Sequence, residues 1–141
     1  QPEETNKSIR KGWFHTGDLG SLNLNGYLTI TGRIKDLINV GGLKVSPQEV
    51  ESVILSLKWV SDVAVVGVDD ESGLKGQIVG VLVTLAIGIK IDEKQYIKEL
   101  RDECVKHLEP HMLPEKIKFT SQIPRAESGK VLREEVKKCL L

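Results

Sequence analysis

Val60-Ser61-Asp62-Val63-Ala64-Val65-Val66-Gly67-Val68 and, beyond the charged turn Asp69–Gly76, Gln77-Ile78-Val79-Gly80-Val81-Leu82-Val83-Thr84-Leu85 decide how this chain folds. β-Branched residues dominate both runs, as they do in strands. The second run carries Ile78, Val79, Val81, Leu82 and Val83 with almost no polar interruption, which suits a strand lying centrally in a sheet.

Helical patterns flank the two strands. Ser46-Pro47-Gln48-Glu49 is a helix start: Ser46 caps, Pro47 takes the first helical position and Glu49 closes a capping box. Val50, Val53, Ile54 and Leu57 follow at helical spacing, predicting a helix to about Lys58. Asp92 caps a second helix, with Ile97, Leu100, Cys104 and Leu108 on one face. Pro110 and Pro114 bound a loop, Ile117–Phe119 is a short third strand, and Pro124–Gly129 is rich in turn residues. Glu134–Leu141 closes the chain as a helix, with Leu132, Val136 and Leu140 four residues apart. The order α-β-β-α-β-α predicts an α+β fold, a small sandwich of a three-stranded sheet packed with helices.

Upstream, residues 1–11 are polar and aperiodic and read as a loop. Leu22 and Leu24, then Leu28 and Ile30, alternate with polar residues on either side of Asn25-Gly26. That dipeptide predicts a β-hairpin over about 19–33 with a type I′ turn. Ile34–Val40 is a short apolar-rich segment and is broken by Gly41-Gly42.

Composition narrows the function classes. The 141 residues include 20 basic and 20 acidic side chains, so the formal charge is zero and a broad field for nucleic acid is lacking. No apolar run is long enough to span a membrane, and the polar, charged stretch Gln1–Lys11 leads to the expectation of no signal peptide. Cys104 and Cys139 form no CxxC pair and the three histidines lack zinc-ligand spacing, so no metal site is expected. The first residue is not Met, which leads to the expectation of a fragment.

Four stretches carry chemistry. Asp18, after Thr16-Gly17, can accept two hydrogen bonds from a cis-diol, although a turn aspartate is the simpler reading of the residues alone. Arg33, in Gly32-Arg33-Ile34-Lys35-Asp36-Leu37-Ile38, carries a guanidinium that can fork to ribose or phosphate oxygens, yet such a charged cluster after a strand is usually a solvated turn. Gly41-Gly42-Leu43-Lys44 leads into a helix without the spacing of a P-loop; its glycines allow close backbone approach to a ligand. Lys130, in Pro124-Arg125-Ala126-Glu127-Ser128-Gly129-Lys130-Val131-Leu132-Arg133, would by itself be one more surface lysine.

Gly12–Gly20, Gly32–Glu51 and Pro124–Arg133, in that order and spacing, resemble the C-terminal part of an adenylate-forming (AMP-binding) enzyme of the acyl-CoA synthetase type, a fatty-acid-CoA ligase among them. The resemblance implies that Asp18 grips the ribose hydroxyls of ATP and that Arg33 also reaches the nucleotide. It implies a hinge at Asp36, a loop at Gly41, Gly42 and Lys44 that lines the path of CoA, and a catalytic lysine at Lys130. Residues 1–35 would be the last hairpin of a large N-terminal AMP-binding domain, and residues 36–141 a mobile C-terminal domain. The phosphate-binding loop, the carboxylate that holds Mg2+ and the acyl pocket would all lie in that large domain, the partner of this chain. The implied activity joins a carboxylic acid to AMP from ATP and passes the acyl group to CoA, in the cytoplasm, and the isolated chain should be silent. Two other readings stay open: a carrier protein as acceptor, and a stand-alone binding module without catalysis. Glu127 departs from the small or neutral residue usual in that motif.

Overall fold

The computed structural model of the chain describes residues 2–90 and 92–141. It divides into two compact units, with the boundary between Asp36 and Leu37.

The first unit opens with helix α1 (Pro2–Ser8), followed by the short strands β1 (Ile9–Arg10) and β2 (Trp13–Phe14). The loop expected over residues 1–11 is therefore corrected. A seven-residue helix with no apolar side chain presents no stripe from which its periodicity could be read. Strands β3 (Asp18–Leu22) and β4 (Leu28–Arg33) form the expected antiparallel hairpin, with Leu22 opposite Leu28 and Asp18 opposite Arg33.

The turn of this hairpin is not type I′. Gly26 has φ +84°, but Asn25 is not in the left-handed region. The loop instead closes between Asn23 and Tyr27, whose N–H and C=O groups pair at 3.0 Å. The Asn23 side chain decides this by accepting from the N–H of Asn25 at 3.0 Å and of Tyr27 at 2.9 Å.

In the second unit, β5 (Ile38–Val40) and β6 (Leu43–Val45) form a hairpin, then α2 (Pro47–Leu55), β7 (Val60–Asp69), β8 (Gln77–Leu85), α3 (Glu93–His107), β9 (Lys116–Phe119) and α4 (Arg133–Leu140) follow. Helix α2 starts at the expected place, but Ser46 makes no side-chain capping bond, and the helix ends at Leu55. Asp92 does cap α3, accepting from the N–H of Gln95 at 3.2 Å.

The main sheet has the order β7-β8-β9. Strand β8 is central, antiparallel to β7 and parallel to β9, and α3 makes the crossover. Alternate residues of β7 and β8 feed two cores. Val63, Val65, Val79, Val81 and Val83 pack with Val50 and Ile54 of α2 and with Leu100 and Cys104 of α3. Ala64, Val66, Val68 and Leu82 pack with Ile123 and with Val136 and Leu140 of α4. Trp59 closes one end of the first core: its indole N–H donates to Glu99 Oε2 at 2.9 Å and its ring lies 4.5 Å from that of Tyr96. Burial pushes the Cys104 thiol up to about 11, which makes it a small apolar core residue.

Gly80 sets how closely α4 approaches the sheet. A Cβ there would lie 2.6 Å from Val68 Cγ2 and 2.9 Å from Leu140 Cδ1. Gly80→Ala is expected to lower the unfolding free energy by about 1–3 kcal/mol, the usual cost of overpacking. The urea midpoint measures this, and an unchanged midpoint would mean that α4 yields freely.

Candidate functional site

In the first unit, β-sheet register brings Asp18 and Arg33 together. They are the first residue of β3 and the last of β4, and they face each other across the ladder. Arg33 Nε lies 3.2 Å from Asp18 Oδ1, and both side chains remain partly exposed, at 44% and 30%. The chain before Asp18 is fixed at two points. The N–H of Asp18 donates to Thr16 Oγ1 at 3.1 Å, and the N–H of Ile34 donates to the carbonyl of Gly17 at 2.8 Å. Thr16, Gly17, Arg33, Ile34 and Lys35 line an open cleft of about 380 Å³. The Arg33 guanidinium at this cleft offers donors for an anion, and the Asp18 carboxylate beside it, next to the lining residue Gly17, offers acceptors for hydroxyls. Asp36 is half-buried and ends the 3₁₀ turn Ile34–Asp36, the last residue of the first unit.

Gly41 and Gly42 form the two-residue tip of the β5–β6 hairpin, with φ +58° and +88°. Positive φ at both positions is what a type I′ turn demands, so the break seen in the sequence is a hairpin of its own. Open space surrounds the positions where their Cβ atoms would be. The hairpin is tied to the start of β8: Gly41 N–H donates to the Lys75 carbonyl at 2.8 Å, and Asn39 N–H donates to Gln77 Oε1 at 3.0 Å. Lys44 is exposed on β6, opposite Asn39.

Lys130 lies on a separate loop of the same unit, between β9 and α4. Ala126 N–H donates to the Lys130 carbonyl at 2.8 Å, Gly129 N–H donates to the Ala126 carbonyl at 2.8 Å, and Leu132 N–H donates to the Pro124 carbonyl at 3.0 Å. Gly129, at φ +84°, closes this three-residue loop in the conformation that glycine adopts without strain. The Lys130 side chain is exposed, and its ammonium has no ion-pair partner among the described residues. A mobile cation on a fixed loop can meet negative charge that develops on an oxygen.

Beneath this loop lies a charged cluster that no local sequence pattern foretells. Arg125 grips both carboxylate oxygens of Asp62, Nη2 to Oδ1 at 2.7 Å and Nε to Oδ2 at 3.2 Å, and its Nη1 donates to the Gly129 carbonyl at 2.9 Å. Arg133 Nη1 donates to the Val65 carbonyl at 2.8 Å, while the Val65 N–H donates to Glu51 Oε1 at 3.0 Å. Burial raises the Glu51 carboxyl above its ordinary range; the Val65 N–H and the charges of Arg133 and Arg125 oppose the rise without cancelling it. No cluster of three or more His, Cys, Asp or Glu side chains among the described residues could hold a metal ion. No helix among them is long and apolar enough to cross a membrane.

The family model of the AMP-binding enzyme C-terminal domain matches residues 49–130. Long-chain-fatty-acid–CoA ligase of Mycobacterium tuberculosis is 40% identical over 133 residues, covering 94% of this chain and 25% of that protein. 2-Succinylbenzoate–CoA ligase of Geobacillus sp. (strain WCH70) is 36% identical over 140 residues, covering 99% of this chain and 27% of the relative. Among solved structures, the o-succinylbenzoate CoA synthetase of Bacillus subtilis in complex with its acyl-adenylate intermediate superposes with a TM-score of 0.80 at 34% identity, covering 94% of this chain and 26% of that one. The chain thus spans about a quarter of the length of the relatives it matches.

The Glu51 carboxyl gives the cluster a pH signature. A carboxyl raised by folding adds stability below its ordinary 4.5 and loses it as pH climbs through the folded value. Glu51→Gln keeps an oxygen for the Val65 N–H and removes the buried charge. The variant should therefore gain stability relative to the parent sequence as pH rises from about 4 to about 7. Urea midpoints at several pH values test this; a flat difference would show that burial does not govern this carboxyl.

Proposed function

Because this chain belongs to the AMP-binding enzyme C-terminal domain family, we propose that it is the C-terminal part of an acyl-CoA synthetase-type ligase. That ligase activates a carboxylic acid with ATP to an acyl-adenylate, releases pyrophosphate, and transfers the acyl group to the thiol of CoA. The observation that carries this reading is the exposed Lys130 ammonium on a loop whose backbone is closed at three points. Lys130 is the catalytic residue of the first half-reaction: it meets charge on the carboxylate and α-phosphate oxygens as the adenylate forms.

Asp18 accepts the two ribose hydroxyls, with the neighbouring Arg33 directed at the nucleotide. Asp36 is the hinge, since the boundary between the two units follows it directly. Gly41 and Gly42, whose Cβ positions face open space, bring backbone close to the pantetheine of CoA in the second half-reaction, with Lys44 available to a CoA phosphate. The small domain thereby serves the two half-reactions through two different loops.

The large partner domain is supported by burial in the first unit. Trp13, Phe14, Leu22, Tyr27, Leu28 and Ile30 are each at least 58% exposed, and every buried hydrophobic side chain described lies at Ile38 or beyond. A hairpin with that much uncovered apolar surface fits the last piece of a larger body, residues 1–35, against which residues 36–141 move. The ligands of Mg2+ are assigned to that larger domain, together with the acid pocket; this fits the lack, among the described residues, of a group of three or more His, Cys, Asp or Glu side chains that could hold a metal ion. A cytoplasmic setting supplies both ATP and CoA. CoA is favoured over a carrier protein as acceptor by relatives that are CoA ligases.

In the full ligase, Lys130→Ala is expected to slow acyl-adenylate formation by about 100-fold or more, the usual cost of losing one transition-state donor. Transfer from a preformed acyl-adenylate to CoA should change little. Pyrophosphate exchange and single-turnover thioester formation separate the two steps. Equal losses in both would overturn this division of labour.

A further inference from the structure

We propose that Arg125, held by Asp62, is a positioning residue for Lys130; the inference rests on the catalytic reading of that lysine. The backbone bonds of the loop make it a hairpin, but they join the loop only to itself. Its tip reaches the sheet through the Arg125 guanidinium. Nε and Nη2 grip the two carboxylate oxygens of Asp62, and Nη1 donates to the carbonyl of Gly129, the residue covalently joined to Lys130. One rigid planar group therefore ties strand β7 to the peptide that carries the lysine. A lysine at position 125 could not reproduce such a fork.

Asp62 is itself aimed. Strand β7 changes register against β8 between Val60 and Asp62, an irregularity of the kind that redirects a side chain. The N–H of Val63 then donates to Asp62 Oδ1 at 2.9 Å, fixing the carboxylate from behind. The pair is about one-third exposed on each side, at 36% and 35%. Ion pairs with that much solvent contribute little to global stability, about 0–1 kcal/mol. Its effect is geometric: it restricts where the backbone of Lys130 sits, and so where the ammonium can reach. Displacements of about 1 Å at a reacting group cost about 100-fold in rate.

Asp62→Ala tests this without altering the loop sequence. In the 141-residue chain, tryptic cleavage after Lys130 should quicken by about tenfold while the urea midpoint stays nearly unchanged. In the full ligase, kcat for acyl-adenylate formation should fall about 10- to 100-fold at unchanged KM for the acid, with transfer to CoA from preformed acyl-adenylate unaffected. Asp62→Glu, which keeps a carboxylate within reach, should restore most of the rate, and Arg125→Lys should not. Unchanged cleavage after Lys130 would overturn the anchoring, and so would a fall in both half-reactions accompanied by a lower midpoint. Faster cleavage with undiminished adenylation, in a ligase that Lys130→Ala does slow, would overturn the positioning role. If Lys130→Ala leaves adenylation intact while Asp62→Ala still loosens the loop, the catalytic assignment of Lys130 is what fails.

Discussion

Burial of both faces of the β7–β8 ribbon is the constraint from which the rest of the second unit follows. From Val63 to Val68 every residue of β7 is buried, and so are Val79 to Val83 of β8. Odd-numbered positions meet α2 and α3, whereas even-numbered positions meet α4. A strand pair of this kind cannot stand with one face in water, because each fully buried Val or Leu contributes about 1.5–3 kcal/mol. Helices are therefore required on both sides. The chain must pass from β9 around to the far face to supply α4, and the loop that makes this passage is the one that carries Lys130.

Strand β7 lies at the edge of the sheet, and its open side is closed by side chains instead of another strand. Glu51 takes the N–H of Val65 and Arg133 serves its carbonyl, so the peptide groups on either side of one residue are satisfied from two helices. Leaving either group buried and unpaired would cost about 1–3 kcal/mol. The same arrangement stops a foreign strand from pairing there. It also sets the two helix layers in a fixed relation to β7, the strand that holds Asp62.

Much of the fold was legible because it is written locally. Consecutive valines, the Ser46-Pro47 start, the Asp92 cap and the four-residue spacing of Val136 and Leu140 each concern neighbours along one element. Turn detail was less legible. Asn25-Gly26 suggested one turn type, but the side chain of Asn23, two residues earlier, imposed another; Gly41-Gly42 read as a break although it makes a hairpin. Of the candidate site, the motif residues were found through resemblance. What surrounds them was not, since Asp62 and Arg125 are separated by 63 positions. That contact exists only because β7 and the loop before α4 are neighbours in space. Asp18 and Arg33 are an intermediate case, facing each other once the hairpin register is known.

The parallel pairing of β9 with β8 has a consequence for how the chain is made. On a ribosome, β7 and β8 emerge before β9 and α4 and can pair at once through their short turn. Gly80 must then wait for Lys116 of β9, and the even-numbered face waits longer still for Val136 and Leu140. During that interval a valine-rich ribbon is present with one side uncovered, the outer edge of β8 unpaired and the Val65 carbonyl of β7 still without Arg133. Such a nascent intermediate is a natural client for chaperones, and slow translation through α3 lengthens its exposure. Helix α4, which follows β9 in the chain, is thus also the lid that ends the period of greatest risk of aggregation.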